Sequence, residues 1–99
     1  MEKVQVTVDA ELRELIPGFL ENRAKDVARM EAALESGDYD ALKRLGHSMK
    51  GVGGGYGFHD ITRMGAEIEQ AAAVRDETTL RRLCILLNEY MQRVTVIYA

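Results

Sequence analysis

Residues 46–57, GHSMKGVGGGYG, hold one of the chain's two histidines, a lysine three residues later, and, after that histidine, five glycines. An imidazole is a nucleophile, and a neighbouring ammonium favours a group on the ring that carries negative charge. The segment before it, ALKRL, has a helical pattern, which places His47 on a helix. At about 100° per residue, Ala41, Leu42, Leu45, Met49 and Val52 share one face. His47 projects roughly opposite the centre of that face, toward solvent. Lys50 and Gly51 lie one turn on, to either side of it, and Gly54 lies two turns on, nearly in line. A helix-interior glycine costs about 1 kcal/mol relative to alanine, so a helix through Gly51, Gly53, Gly54 and Gly55 would lose about 3–4 kcal/mol. Either the helix ends or turns there, or a bare surface has a use. Clearance for a large partner to reach the imidazole is one such use.

His47-Ser48-Met49-Lys50-Gly51, with Gly57 ten positions after the histidine, resembles the H-x-x-K-G-x-x-x-x-x-G signature of histidine-containing phosphotransfer domains. The resemblance extends to the helix before the motif and the helical hairpin after it. It implies a helical bundle that relays a phosphoryl group between aspartates of response-regulator receiver domains. His47 would then be the phosphoacceptor, at Nε2, and Lys50 would stabilise the phosphoryl oxygens. Gly51 would keep the next turn clear, Gly54 would extend the clearing, and Gly57 would be a structural turn. Lys43 and Arg44, one turn before His47, would face the partner and steer its acidic site. Receiver domains and a hybrid sensor histidine kinase are the implied partners. The chain would need no cofactor, because magnesium would belong to the receiver. It would be a phosphocarrier, not an enzyme. Histidine's reference pKa of about 6.5 leaves most of an exposed imidazole neutral and nucleophilic at cytoplasmic pH.

Bulk properties agree with a small signalling module. Ninety-nine residues suggest one domain over 1–99, with one modest core and no deep cleft. The formal charge of −3 argues against a general nucleic-acid binder. No apolar run approaches the roughly 20 residues of a membrane span, and the first residues lack a signal-peptide core. One cysteine, Cys84, excludes an intrachain disulfide and a multi-cysteine zinc site. A cytoplasmic monomer is the expectation.

The elements that must position the histidine follow from periodicity. Residues 1–8 alternate apolar and polar, and read as a loose lead-in because one strand has no visible partner. Asp9 can cap a short helix over 10–16. Pro17 suits the first turn of a helix over 17–36, with Leu20, Ala24, Val27, Met30 and Leu34 as its stripe and Gly37 as its end. Asp38 can cap the histidine helix, which starts at Tyr39 and ends between Val52 and Gly55. Phe58, Ile61, Met64, Gly65, Ile68 and Ala72 form the next stripe, to about Val74, with Gly65 allowing close approach. Asp76 caps the last helix, whose stripe runs from Leu80 through Tyr90 and Val94 to Tyr98. The fold expected is all-α, an up-and-down antiparallel four-helix bundle with a short extra N-terminal helix.

Other residues read more plainly. His59 reads as a surface or capping residue, with no Glu-x-x-His or His-x-x-x-His pair to make it a metal ligand. Cys84, Met49, Met64 and Met91 fall on core stripes. Glu67 and Glu69 make no acid/base pair; one reads as solvated and the other as a contact to a neighbouring helix. Two alternatives to the relay remain: a helical docking module that is never phosphorylated, and the phosphorylatable N-terminal domain of a chemotaxis-type histidine kinase.

Overall fold

The computed structural model describes residues 2–99. Its elements are β1 (Val4–Val8), α1 (Ile16–Ser36), α2 (Tyr39–Gly53), α3 (His59–Ala73), α4 (Glu77–Arg93) and β2 (Val94–Tyr98). Single 3-10 turns, Ala10–Leu12 and Gly54–Tyr56, precede α1 and follow α2. Four helices pack together: α1 touches α2 and α4, and α3 touches the same two from the other side. Their shared core includes Met30, Leu42, Met49, Phe58, Ile61, Ile68, Leu80, Leu83 and Leu87. No helix among the described residues is long and apolar enough to cross a membrane.

The helix boundaries are set by local chemistry. Asp38 and Asp76 accept hydrogen bonds from the Ala41 and Thr79 amides, satisfying donors that the first turn leaves orphaned. Gly37 closes α1 in the left-handed region at φ 68°, and its amide reaches back to Ala33 and Leu34. Pro17 lies in the first turn of α1, where its missing N–H costs nothing. Phe19 and Ala33 join the buried stripe of α1, whereas Ala24 is exposed. Phe19 is drawn in by aromatic partners: it lies 4.7 Å from Tyr56 and 4.9 Å from Phe58 between ring centroids. The buried carboxylate of Asp26 is satisfied by Arg23 and Arg29 at 2.7 and 2.8 Å.

The two ends of the chain depart from expectation. The short extra helix over 10–16 is absent: Asp9 caps only one 3-10 turn, and Ile16 already belongs to α1. Residues 4–8 are no loose lead-in but a strand (Met1 lies outside the described residues). The tail does not extend α4; the backbone turns extended at Val94, with φ −69° and ψ 132°. β1 and β2 pair in parallel, Val4 opposite Val94 and Val8 opposite Tyr98. A parallel pair needs a long crossover, and here the helices themselves supply it. Val4, Val6, Val94, Val96 and Tyr98 pack against the helical core, and Val8 belongs to it. The β-branched run VTVI fits this half-buried surface better than a helix. Arg93 Nε donates to the Glu2 carbonyl at 2.6 Å, and the Arg13 guanidinium lies 4.8 Å above the Tyr98 ring. The fold is therefore mostly helical, with a two-stranded sheet where its ends meet.

Candidate functional site

His47 lies on the outer face of α2, with its side chain 72% exposed. Leu42 and Met49 on the opposite side are fully buried and fix that orientation. The ring has a side-chain partner, however. Its Nδ1 is 2.9 Å from Glu69 Oε2, on α3. Lys50 Nζ donates to the other oxygen, Glu69 Oε1, at 2.7 Å. One carboxylate thus ties the histidine and the lysine together from the neighbouring helix.

The chemistry of this arrangement follows from donor counting. An ionised carboxylate only accepts, so the 2.9 Å contact places a hydrogen on Nδ1. A neutral ring held that way carries its lone pair on Nε2, the distal nitrogen. Among the described residues no hydrogen bond engages Nε2. The Glu69 carboxyl is held below its ordinary value, chiefly by the Lys50 hydrogen bond. Partial burial opposes the shift, and the His47 hydrogen bond and the Lys50 charge add to it. The stabilisation from a depressed carboxylate is fully present above the unfolded glutamate value and fades as pH falls through the folded-state value. Replacing Lys50 by Ala is expected to move the Glu69 titration midpoint upward, toward the reference of about 4.3. Carboxyl carbon NMR across acid pH measures it.

The α2–α3 contact that brings Glu69 here runs through glycines. A Cβ on Gly65 would lie 2.5 Å from the Lys50 amide nitrogen and 2.7 Å from the Gly46 carbonyl oxygen. A Cβ on Gly46 would lie 2.5 Å from the Glu69 amide nitrogen. Farther along, a Cβ on Gly53 would meet the Thr62 backbone at 2.7 Å. Thr62 Oγ1 donates to the Lys50 carbonyl at 3.2 Å, tying down the last turn of α2.

Gly51 and Gly55 differ from these. Both are exposed, and a Cβ on either would meet nothing within 4 Å. Internal packing does not require glycine there. Gly54 begins the 3-10 turn, and its Cβ would make ordinary contact with Thr62 Oγ1 at 3.5 Å. Gly57 takes φ 89°, a left-handed conformation that ends the turn before α3. Lys43 and Arg44 are exposed and line a shallow depression with Asp40, His47 and Glu69. His59 is exposed at the start of α3, away from this depression, and Cys84 is buried. Among the described residues no group of three His, Cys, Asp or Glu side chains is placed to hold a metal ion.

Sequence reasoning noted Gly65 but missed Gly46 and the role of Glu69. A signal was present. Gly46-x-x-x-Lys50 and Gly65-x-x-x-Glu69 carry opposite charges one turn after a glycine. Antiparallel packing sets Gly46 against Glu69 and Gly65 against Lys50.

Comparison with known proteins yields no match among curated proteins or solved structures. Residues 14–95 match the Hpt domain family, a span that begins just before α1 and ends within β2. Hpt domains interact with receivers and kinases, and are phosphocarriers in phosphorelays, not catalysts. With most of its length inside that match and a histidine exposed on the second of four packed helices, this chain belongs to the Hpt domain family.

Proposed function

We propose that His47 accepts a phosphoryl group from the aspartyl phosphate of one receiver domain and passes it to another. The observation that carries this reading is the exposed ring with Nδ1 held by Glu69 and Nε2 unengaged among the described residues. The Nε2 lone pair attacks phosphorus, the bond from phosphorus to the aspartyl oxygen breaks, and the aspartate leaves as a carboxylate. No proton has to move, because Nδ1–H is already in place. The ring becomes positive as the N–P bond forms, and the Glu69 carboxylate at 2.9 Å stabilises that charge. Lys50 is the phosphoryl-stabilising residue. Its flexible stem lets the ammonium pivot from Glu69 toward the phosphoryl oxygens while staying near both.

Gly51 and Gly54 provide steric clearance for the receiver, and Gly57 shapes the turn that carries the chain away. Lys43 and Arg44 face the partner and raise the rate at which an acidic receiver site arrives. A hybrid sensor kinase supplies the first receiver, in the cytoplasm, and the magnesium ion needed for aspartyl chemistry stays with the receivers.

The test is transfer of label. The protein is incubated with a panel of phosphorylated receiver domains and Mg²⁺, and label on this chain is followed. Label that survives base and is lost in acid identifies phosphohistidine and names the partner. Absence of label from every receiver, with the helical fold intact, would overturn the relay reading. A second trial with ATP and a chemotaxis-type kinase domain as donor would then test the kinase-domain alternative.

A further inference from the structure

We propose that Gly46 is a positioning residue for His47, acting through Glu69. By leaving no side chain between α2 and α3, it brings the Glu69 backbone close enough for its carboxylate to hold His47 Nδ1 at 2.9 Å. This rests on His47 being the phosphoacceptor, and goes beyond it by assigning a cause to the ring's orientation.

The contacts argue for it. A Cβ on Gly46 would lie 2.5 Å from the Glu69 nitrogen, 2.7 Å from the Gly65 oxygen and 3.0 Å from the Glu69 Cα. All three are backbone atoms, so no flexible side chain can give way. Ordinary Cβ contacts begin at 3.4 Å. The Glu69 backbone would therefore have to retreat by about 1 Å. The His47–Glu69 contact is 2.9 Å, and a retreat of about 1 Å takes it beyond hydrogen-bond range unless the side chain follows. For the carboxylate to follow, the Glu69 side chain would have to leave its present rotamer and the Lys50 ammonium, now 2.7 Å from its other oxygen, would have to move with it. Gly46 also precedes His47 in the chain, so the displacement falls where the ring is rooted.

Gly53 is an internal control. Its Cβ would collide with the Thr62 nitrogen and the Phe58 oxygen at 2.7 and 2.8 Å, a similar steric burden. It lies seven residues along α2 from Gly46, about 10 Å away. A merely structural glycine seam makes the two equivalent for the imidazole. A positioning role makes them different.

The test reads the His47 ring directly, by ¹⁵N NMR of the imidazole nitrogens in the high-pH plateau of their shifts. The full chain is compared with Gly46→Ala, Gly53→Ala, Glu69→Ala and the Gly46→Ala/Glu69→Ala double variant. Phosphoryl uptake from one receiver is measured alongside. The expected result is an Nδ1–H ring in the parent and in Gly53→Ala. Gly46→Ala and Glu69→Ala should both shift toward the Nε2–H tautomer, and each should slow uptake about tenfold, the size of one lost charge-assisted hydrogen bond. The double variant should lose no more than Glu69→Ala alone, since both changes remove the same contact.

Parent-like ring shifts in a folded Gly46→Ala would overturn the proposal, as would an equal shift in Gly53→Ala. If Gly46→Ala does not fold, Glu69→Asp decides. It withdraws the carboxylate by one methylene without touching the seam, so an unchanged tautomer there also overturns it. The ring spectra need no phosphoryl donor. They read the proposal even if His47 takes no label, which keeps its failure distinct from failure of the relay.

Discussion

His47→Gln is expected to accept no label from any receiver that phosphorylates the parent chain, while its helical circular dichroism and melting temperature stay unchanged. The loss is complete because the step needs a nucleophilic ring nitrogen, and a glutamine amide nitrogen has no available lone pair. The fold is spared because the side chain is 72% exposed and packs against nothing in the core. Receiver binding should survive, since rim contacts from Lys43 and Arg44 remain. The measurement separates a relay from a docking module: a module would signal equally well with glutamine at this position. Residual label that is stable in base would place the acceptor elsewhere, with His59 the first residue to test.

Gly65→Ala carries the largest expected effect on stability. Its new Cβ would meet the Lys50 nitrogen at 2.5 Å, the Gly46 oxygen at 2.7 Å and the Met49 Cβ at 2.8 Å. None of these is the far end of a flexible side chain. Overpacking of this kind costs about 1–3 kcal/mol, and separating two helices along a seam belongs at the upper end of that range. Alanine's better helix propensity returns about 1 kcal/mol. A net loss of about 2 kcal/mol follows, which lowers the melting temperature by roughly 10 °C in a domain of this size. Urea denaturation with unchanged slope would confirm it.

Gly51→Ala provides the contrast. Nothing lies within 4 Å of its new Cβ, so the helix gains propensity and the chain should become more stable by up to about 1 kcal/mol. If Gly51 serves as clearance, the same variant should take label from a receiver more slowly. A change that stabilises the fold yet slows the transfer would locate the cost in the approaching partner. Equal transfer rates would remove Gly51 from the site.

Much of this protein was legible because helices write their faces locally. Asp38, Gly37 and Asp76 act within a turn of their own positions, and each behaves as an isolated cap would. The stripe containing Leu42 and Met49 turns His47 outward by geometry alone, before any neighbour is considered. The expected lead-in and the helical tail failed for the opposite reason. β1 and β2 are each too short to be stable alone, and their partners lie about ninety residues apart in the chain. Nothing within a local window distinguishes a five-residue alternating strand from an unpaired arm. The short helix over 10–16 failed similarly, because the start of α1 at Ile16 claims its last residue and leaves one turn.

The sequence by itself pointed to His47 as the proposed phosphoacceptor, and determined which face of its helix would present it and that four amphipathic helices would share one core. Those properties depend on residue type and a spacing of three to four positions. The tertiary structure alone decided which nitrogen of His47 is left bare. That outcome depends on a carboxylate 22 residues away, delivered by a neighbouring helix to 2.9 Å. It also sorted the glycines, into those that let two backbones touch and those that leave the surface open. A glycine's type is visible in a sequence. What its missing side chain makes room for depends on atoms from another part of the chain.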